Sequence, residues 1–191
     1  KELNKEIGRL DREDPYSFLD LQKYRKAMFQ LIKKDPDIFR VPCLQLYAAC
    51  LIGARSKNQV FNLLWDQVNI KANKIKYQDT KNDEPMDLYF DYRFKAVLRI
   101  MLQHRKTINH RDKRFAYVFP THTKKSKTKH LVDPRKTHSS ILELAKLPYK
   151  CIHFLRHSWA TNGYAATADS LGVQELGGWK DPKSVSKYIK V

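Results

Sequence analysis

The chain has 191 residues, of which 37 are Lys or Arg and 20 are Asp or Glu, for a net charge of +17. With 12% aromatic residues and a pI near 9.8, it has the material for one well-buried core under a strongly basic surface, which favours a polyanionic partner. No apolar run approaches the length of a membrane span, and Lys1-Glu2-Leu3-Asn4 does not open a signal peptide, so the sequence predicts a soluble cytoplasmic protein with no membrane partner.

Lys1 to Pro15 is charged with few apolar positions and reads as a linker or trimmed boundary ahead of a single domain over 16–191. From Phe18 to Ile32, apolar residues recur at helical spacing on Phe18, Leu21, Tyr24, Met28, Leu31 and Ile32, and Asp35-Pro36-Asp37 ends the run. Cys43 to Ile52 is apolar or small almost throughout, too long for a typical strand, and predicts a buried helix closed by Gly53 that delivers Arg55 at its end. Ser56-Lys57-Asn58-Gln59 has the Ser-x-x-Gln form of a capping box and predicts a helix through Val60, Leu63, Leu64 and Val68.

Ile75 and Tyr77 alternate with polar residues, as do Met86, Leu88 and Phe90, and the polar stretch between them supplies turn residues. The pattern is a β-hairpin with Lys81 near its tip. A helix follows from Tyr92 to His104 on Phe94, Val97, Leu98 and Met101, and then the basic run His110 to Arg114. Lys124 to Lys129 is a basic loop of the kind that is solvated or lies on phosphates. Asp133-Pro134 opens a helix carrying Ile141, Leu142, Leu144 and Ala145. Thr167 caps a short helix ending at Gly177-Gly178, and Asp181-Pro182 opens another, with Tyr188 on it or just after it. Cys43, Cys50 and Cys151 lack ligand spacing, and the first two lie about 10 Å apart along a helix, so all three read as free thiols.

The chemistry concentrates at the end of the chain, in His153-Phe154-Leu155-Arg156-His157-Ser158-Trp159-Ala160-Thr161, then Leu176-Gly177-Gly178-Trp179, then Tyr188. On a helix, residues three apart are neighbours, so His153 and Arg156 point into the same space. Arg forks two N–H groups onto phosphate oxygens, His accepts or gives up a proton near neutral pH, and the phenol is a nucleophile once a base takes its proton. A zinc pair of His153 and His157 is the competing reading, but Phe154 stands where a metalloprotease needs its Glu.

The run His-x-x-Arg-His-Ser-x-Ala-Thr, the Leu-Gly-Gly-Trp turn and the following Tyr resemble the carboxy-terminal signature of the tyrosine recombinases, also called phage-type integrases. Upstream, Gly53-Ala54-Arg55 followed by Leu63-Leu64-Trp65 resembles the family's first arginine motif, with Asn58 where the family usually has Glu, and Thr80-Lys81 its hairpin motif. The resemblance implies an α+β, mostly helical catalytic domain with a small antiparallel β-hairpin sheet, lacking the family's amino-terminal DNA-binding domain. It further implies that Tyr188 attacks a DNA phosphate, Arg55, Arg156 and Trp179 stabilise the charge, His153 is base or phosphate ligand and Lys81 is the acid. Trp179 also reads as core packing, and His157 as structural. Neither metal nor cofactor is implied. The partner is double-stranded DNA, bound as a tetramer of protomers that are monomers in isolation, and the protein is nucleoid-associated. Two alternatives stay open, strand relaxation of the type IB topoisomerase kind and a non-catalytic DNA-binding module.

Overall fold

A computed structural model describes residues 14–55, 59–77, 86–106, 116–121 and 127–188. Seven helices and a small sheet follow one another there: α1 (Phe18–Lys34), α2 (Pro36–Leu51), β1 (Val68–Asn69), β2 (Lys74–Tyr77), β3 (Met86–Tyr89), α3 (Tyr92–Lys106), α4 (Arg135–Ala145), α5 (His153–Thr167), α6 (Ser170–Gly177) and α7 (Pro182–Ser186). The α+β, mostly helical expectation matches this architecture.

Local chemistry sets the first boundaries. Ser17 and Asp20 form a reciprocal capping box at the start of α1. Asp35 closes α1 through its N–H to Leu31 and opens α2 through its carboxylate, which accepts from the N–H groups of Asp37 and Ile38. Because Asp35 serves both ends and Pro36 fits a first helical position, α2 starts at Pro36, well before the predicted Cys43. It continues through Pro42 and is buried on most of its circumference, at Val41, Cys43, Leu44, Leu46, Ala48 and Ala49. Helices α1, α3, α4 and α5 pack against it.

Three expectations need correction. Residues 60–68 are not a helix. Gln59 Oε1 accepts from the Arg55 N–H at 2.7 Å, Leu64 bridges to Tyr117, Trp65–Gln67 form a 3-10 turn and Val68 enters β1. Val60, Phe61 and Leu63 are buried, and the Val118 N–H donates to the Leu63 carbonyl at 2.8 Å, so pairing with a distant segment overrides the local cap signal. The sheet accordingly has three strands in the order β1-β2-β3, with the predicted hairpin in the register Tyr77↔Met86. Finally, Asp169, not Thr167, caps α6: α5 extends through Thr167, and the Asp169 carboxylate, on an extended backbone, accepts from the Gly172 N–H at 2.8 Å.

The main core runs from Tyr16 to Leu155 and includes Tyr24, Met28, Leu44, Leu46, Phe94, Leu98 and Phe119. A smaller cluster of Ala160, Val173, Trp179 and Val185 joins α5, α6 and α7, with Trp159, Tyr164 and Tyr188 against it. The cysteines are free, as expected.

Candidate active site

The site forms where α5 passes the end of α2. Trp159 donates its indole N–H to the Leu51 carbonyl at 3.1 Å, and a side chain at Gly53 would meet the Trp159 ring at 2.5 Å, so a glycine is required where the two segments touch. That close approach brings the Gly53 carbonyl to the Arg156 guanidinium, which donates to it. Arg156 is 2% exposed and its guanidinium lies 3.6 Å from the centre of the Trp179 ring. Trp179 in turn stacks on Trp159. Of the two readings offered for Trp179, packing is therefore directly visible: it is the shelf on which Arg156 rests.

Burial, and next the charge of Arg55, lower the Arg156 pKa to about 10, with the Tyr188 phenol acting in the opposite direction. Arg55 itself is exposed, four residues beyond the end of α2. Its charge also acts on His153, whose pKa lies below the ordinary imidazole value because of burial first, then Arg156, then Arg55. Two guanidinium groups and an imidazole thus share one electrostatic neighbourhood that favours the neutral imidazole.

Tyr188 follows α7 in a turn, its N–H bonded to the Val185 carbonyl at 2.8 Å. Its hydroxyl is 3.3 Å from His153 Nε2, and with Nε2 unprotonated the hydroxyl donates. The ring stands edge-on to His157 at 4.9 Å between centroids and tilted to Trp179 at 5.6 Å, while the Thr161 hydroxyl donates to the Tyr188 carbonyl at 2.6 Å. His157 also meets Phe154 edge-on.

Arg55, His153, Arg156, Trp179 and Tyr188 are therefore brought together, whereas Lys81 lies outside the described residues. Among the described residues, the start of β3 borders the site: Gly178, at φ +66°, packs against Met86, the first residue of β3. Sequence reasoning gave no role to Thr161, Trp159 or the Gly53 carbonyl. Thr161 and Trp159 stand in the signature itself, and their one-turn spacing from His157 and Arg156 was the available signal. Among the described residues no group of three or more His, Cys, Asp or Glu could hold a metal ion, and no helix is long and apolar enough to cross a membrane.

A buried arginine, a neutral imidazole and a phenol converging on one solvent-facing corner form an arrangement suited to nucleophilic attack on a phosphodiester. Residues 22–191 match the phage integrase family, and the chain belongs to that family, the tyrosine recombinases. It is similar in structure to the XerH site-specific recombinase bound to difH substrate in a pre-cleavage complex, with a TM-score of 0.73 at 20% identity over 91% of this chain and 49% of that one. For the XerA recombinase the values are 0.69, 17%, 93% and 60%. For a lambda integrase dimer bound to a core site they are 0.60, 12%, 93% and 59%. At these identities the likeness establishes the fold, and the chain spans about half to three fifths of the length of these relatives. No curated protein matches it.

Proposed function

We propose that residues 16–191 are the catalytic domain of a site-specific DNA recombinase that cleaves and rejoins double-stranded DNA through a 3′-phosphotyrosyl intermediate. The observation that carries this reading is the Tyr188 hydroxyl 3.3 Å from His153 Nε2, beside the buried Arg156. His153 Nε2 takes the phenolic proton as the Tyr188 oxygen bonds to phosphorus. The bond from phosphorus to the 5′ oxygen breaks, and that oxygen leaves with a proton from Lys81, the acid that the family resemblance assigns. Rejoining is the reverse, so no nucleotide is consumed.

Arg156 keeps one guanidinium nitrogen on the Gly53 carbonyl and has further N–H donors for the non-bridging oxygens, with Arg55 supplying a second positive charge. Anchoring to Gly53 fixes the fork before substrate arrives, which is the condition for electrostatic stabilisation without reorganisation. Thr161 holds the Tyr188 carbonyl and so aims the phenol. In the same reading, protomers that are monomers alone assemble as a tetramer on DNA. XerH and lambda integrase have both been captured on DNA, the former also in a post-cleavage complex.

The test is a nicked suicide duplex that traps the covalent complex. Tyr188→Phe removes one oxygen and keeps the ring, so the adduct should disappear while DNA affinity and the fold persist. Recovery of the nucleotide on a peptide lacking Tyr188 overturns the assignment. An absence of adduct from the wild-type chain on every substrate would leave a DNA-binding module.

A further inference from the structure

The helix that carries His153 and Arg156 begins without a cap. Ile152 occupies the N-cap position and offers no side-chain bond, and the first turn closes through Phe154 N–H to the Cys151 carbonyl and Leu155 N–H to the Ile152 carbonyl. The position of that turn therefore follows the position of residues 150–152. An uncapped start frays readily unless something else holds it.

Lys150, three residues before His153, is held on both sides of its backbone. Its N–H donates to the Tyr16 hydroxyl at 3.1 Å, and the same hydroxyl donates to the Pro148 carbonyl at 2.9 Å. Its carbonyl lies 2.8 Å from His138 Nε2, and His138 Nδ1 lies 2.8 Å from the Tyr24 hydroxyl. A carbonyl only accepts, so Nε2 carries the proton and Nδ1 accepts from Tyr24. Every donor and acceptor in this chain is matched by the neutral imidazole, and burial holds the His138 pKa below its ordinary value. Tyr16, Tyr24 and His138 are all buried.

The same segment grips α5 lower down. The Tyr16 N–H donates to Ser158 Oγ at 2.9 Å, and Asn162 Nδ2 donates to the Tyr16 carbonyl at 2.8 Å. Tyr16 thus touches the approach to α5 and two successive turns of it. None of these groups touches the phenol or the guanidinium of the site.

We propose that Tyr16 and the His138–Tyr24 pair are positioning residues that clamp the Lys150 peptide and thereby set where His153 stands against Tyr188. The clamp supplies from α1, α4 and the segment leading into α1 the constraint that a capping side chain would supply locally. Its role in cleavage rests on the reading of His153 as the base. Its hold on the helix does not.

Two measurements on the full chain separate these. Hydrogen exchange without DNA reports the helix start: Tyr16→Phe, which removes only the hydroxyl, and His138→Leu should speed exchange at Phe154 and Leu155 by at least tenfold, with the amides of α2 unchanged. Adduct formation on the suicide duplex reports the site: the rate should fall on the order of tenfold to a hundredfold with DNA affinity unchanged. His138→Gln, which restores a donor towards Lys150, should recover most of both. Unchanged exchange in Tyr16→Phe and His138→Leu overturns the clamp. Faster exchange with wild-type adduct formation overturns its part in positioning His153. If the wild-type chain itself forms no adduct, the recombinase reading fails, and exchange alone still decides whether the clamp holds α5.

Discussion

Arg156 and Tyr188 face each other across the site but stand on unequal support. Arg156 follows Leu155, which is wholly buried in the main core, and its guanidinium is tied to Gly53 directly after α2. Tyr188 leans on Ala160, Val173, Trp179 and Val185, a patch formed by three helices of which the last, α7, has five residues. Local opening is cheapest where few buried apolar groups must separate. Arg156 is therefore tied to the main core through Leu155 and Gly53 even though it also rests on Trp179, while the nucleophile is held by the smaller patch, whose contacts can release at lower cost. For chemistry in which the tyrosine must become bonded to DNA and then be freed, that inequality is useful.

Truncation in each region sharpens the comparison. Leu46→Ala in α2 should cost about 2–5 kcal/mol of global stability, seen as a lower denaturation midpoint, because the side chain is fully buried in the main core. Val185→Ala should cost about 1–2 kcal/mol, and expressed locally it should slow adduct formation while moving the midpoint little. Equal shifts of the midpoint would show that the two clusters unfold as one unit.

Thr161→Val is a smaller perturbation of the same patch. It keeps the shape and removes the hydroxyl bond to the Tyr188 carbonyl, a loss of about 1 kcal/mol, or roughly fivefold in adduct formation. Thr161→Ser should restore the rate, and a rate untouched by either substitution would make the bond incidental.

The mildest effect is that of pH. The folded pKa values of His130, His138 and His153 all lie below the ordinary imidazole value of about 6.5, each chiefly through burial. The unfolded chain then binds more protons as pH falls through that value, so stability should be level above it and decline below it, until pH passes the lower folded values. Adduct formation should persist below pH 6.5 and fall only where His153 itself takes up a proton. A rate already halved at pH 6.5 would contradict a depressed His153.

Much of this was legible in the sequence, for identifiable reasons. The apolar spacing from Phe18 to Ile32, the alternation at Ile75, Tyr77, Met86 and Leu88, and the terminal signature each report a local period, and each produced the expected element. Ser56 to Gln59 misled because a cap signal is local while the burial of Val60, Phe61 and Leu63 is not. At the site, spacing on one helix was enough to pair His153 with Arg156. It could not reveal the Gly53 carbonyl or the grip of Thr161 on Tyr188, which depend on segments distant in sequence meeting in space.

One consequence of the bond between Arg156 and Gly53 concerns selection. In the described contacts the guanidinium is buried against a carbonyl and the face of an indole, with no carboxylate beside it, and its lowered pKa shows that the charge is uncomfortable there. Burial and the neighbouring charge of Arg55 both work against the charged form of this group. Arg156→Met removes the buried charge but takes its donor from the Gly53 carbonyl, at a cost of about 1–3 kcal/mol that offsets the gain, so the melting temperature without DNA should change little while adduct formation is abolished. A screen that rewards thermal stability alone would therefore be blind to this arginine.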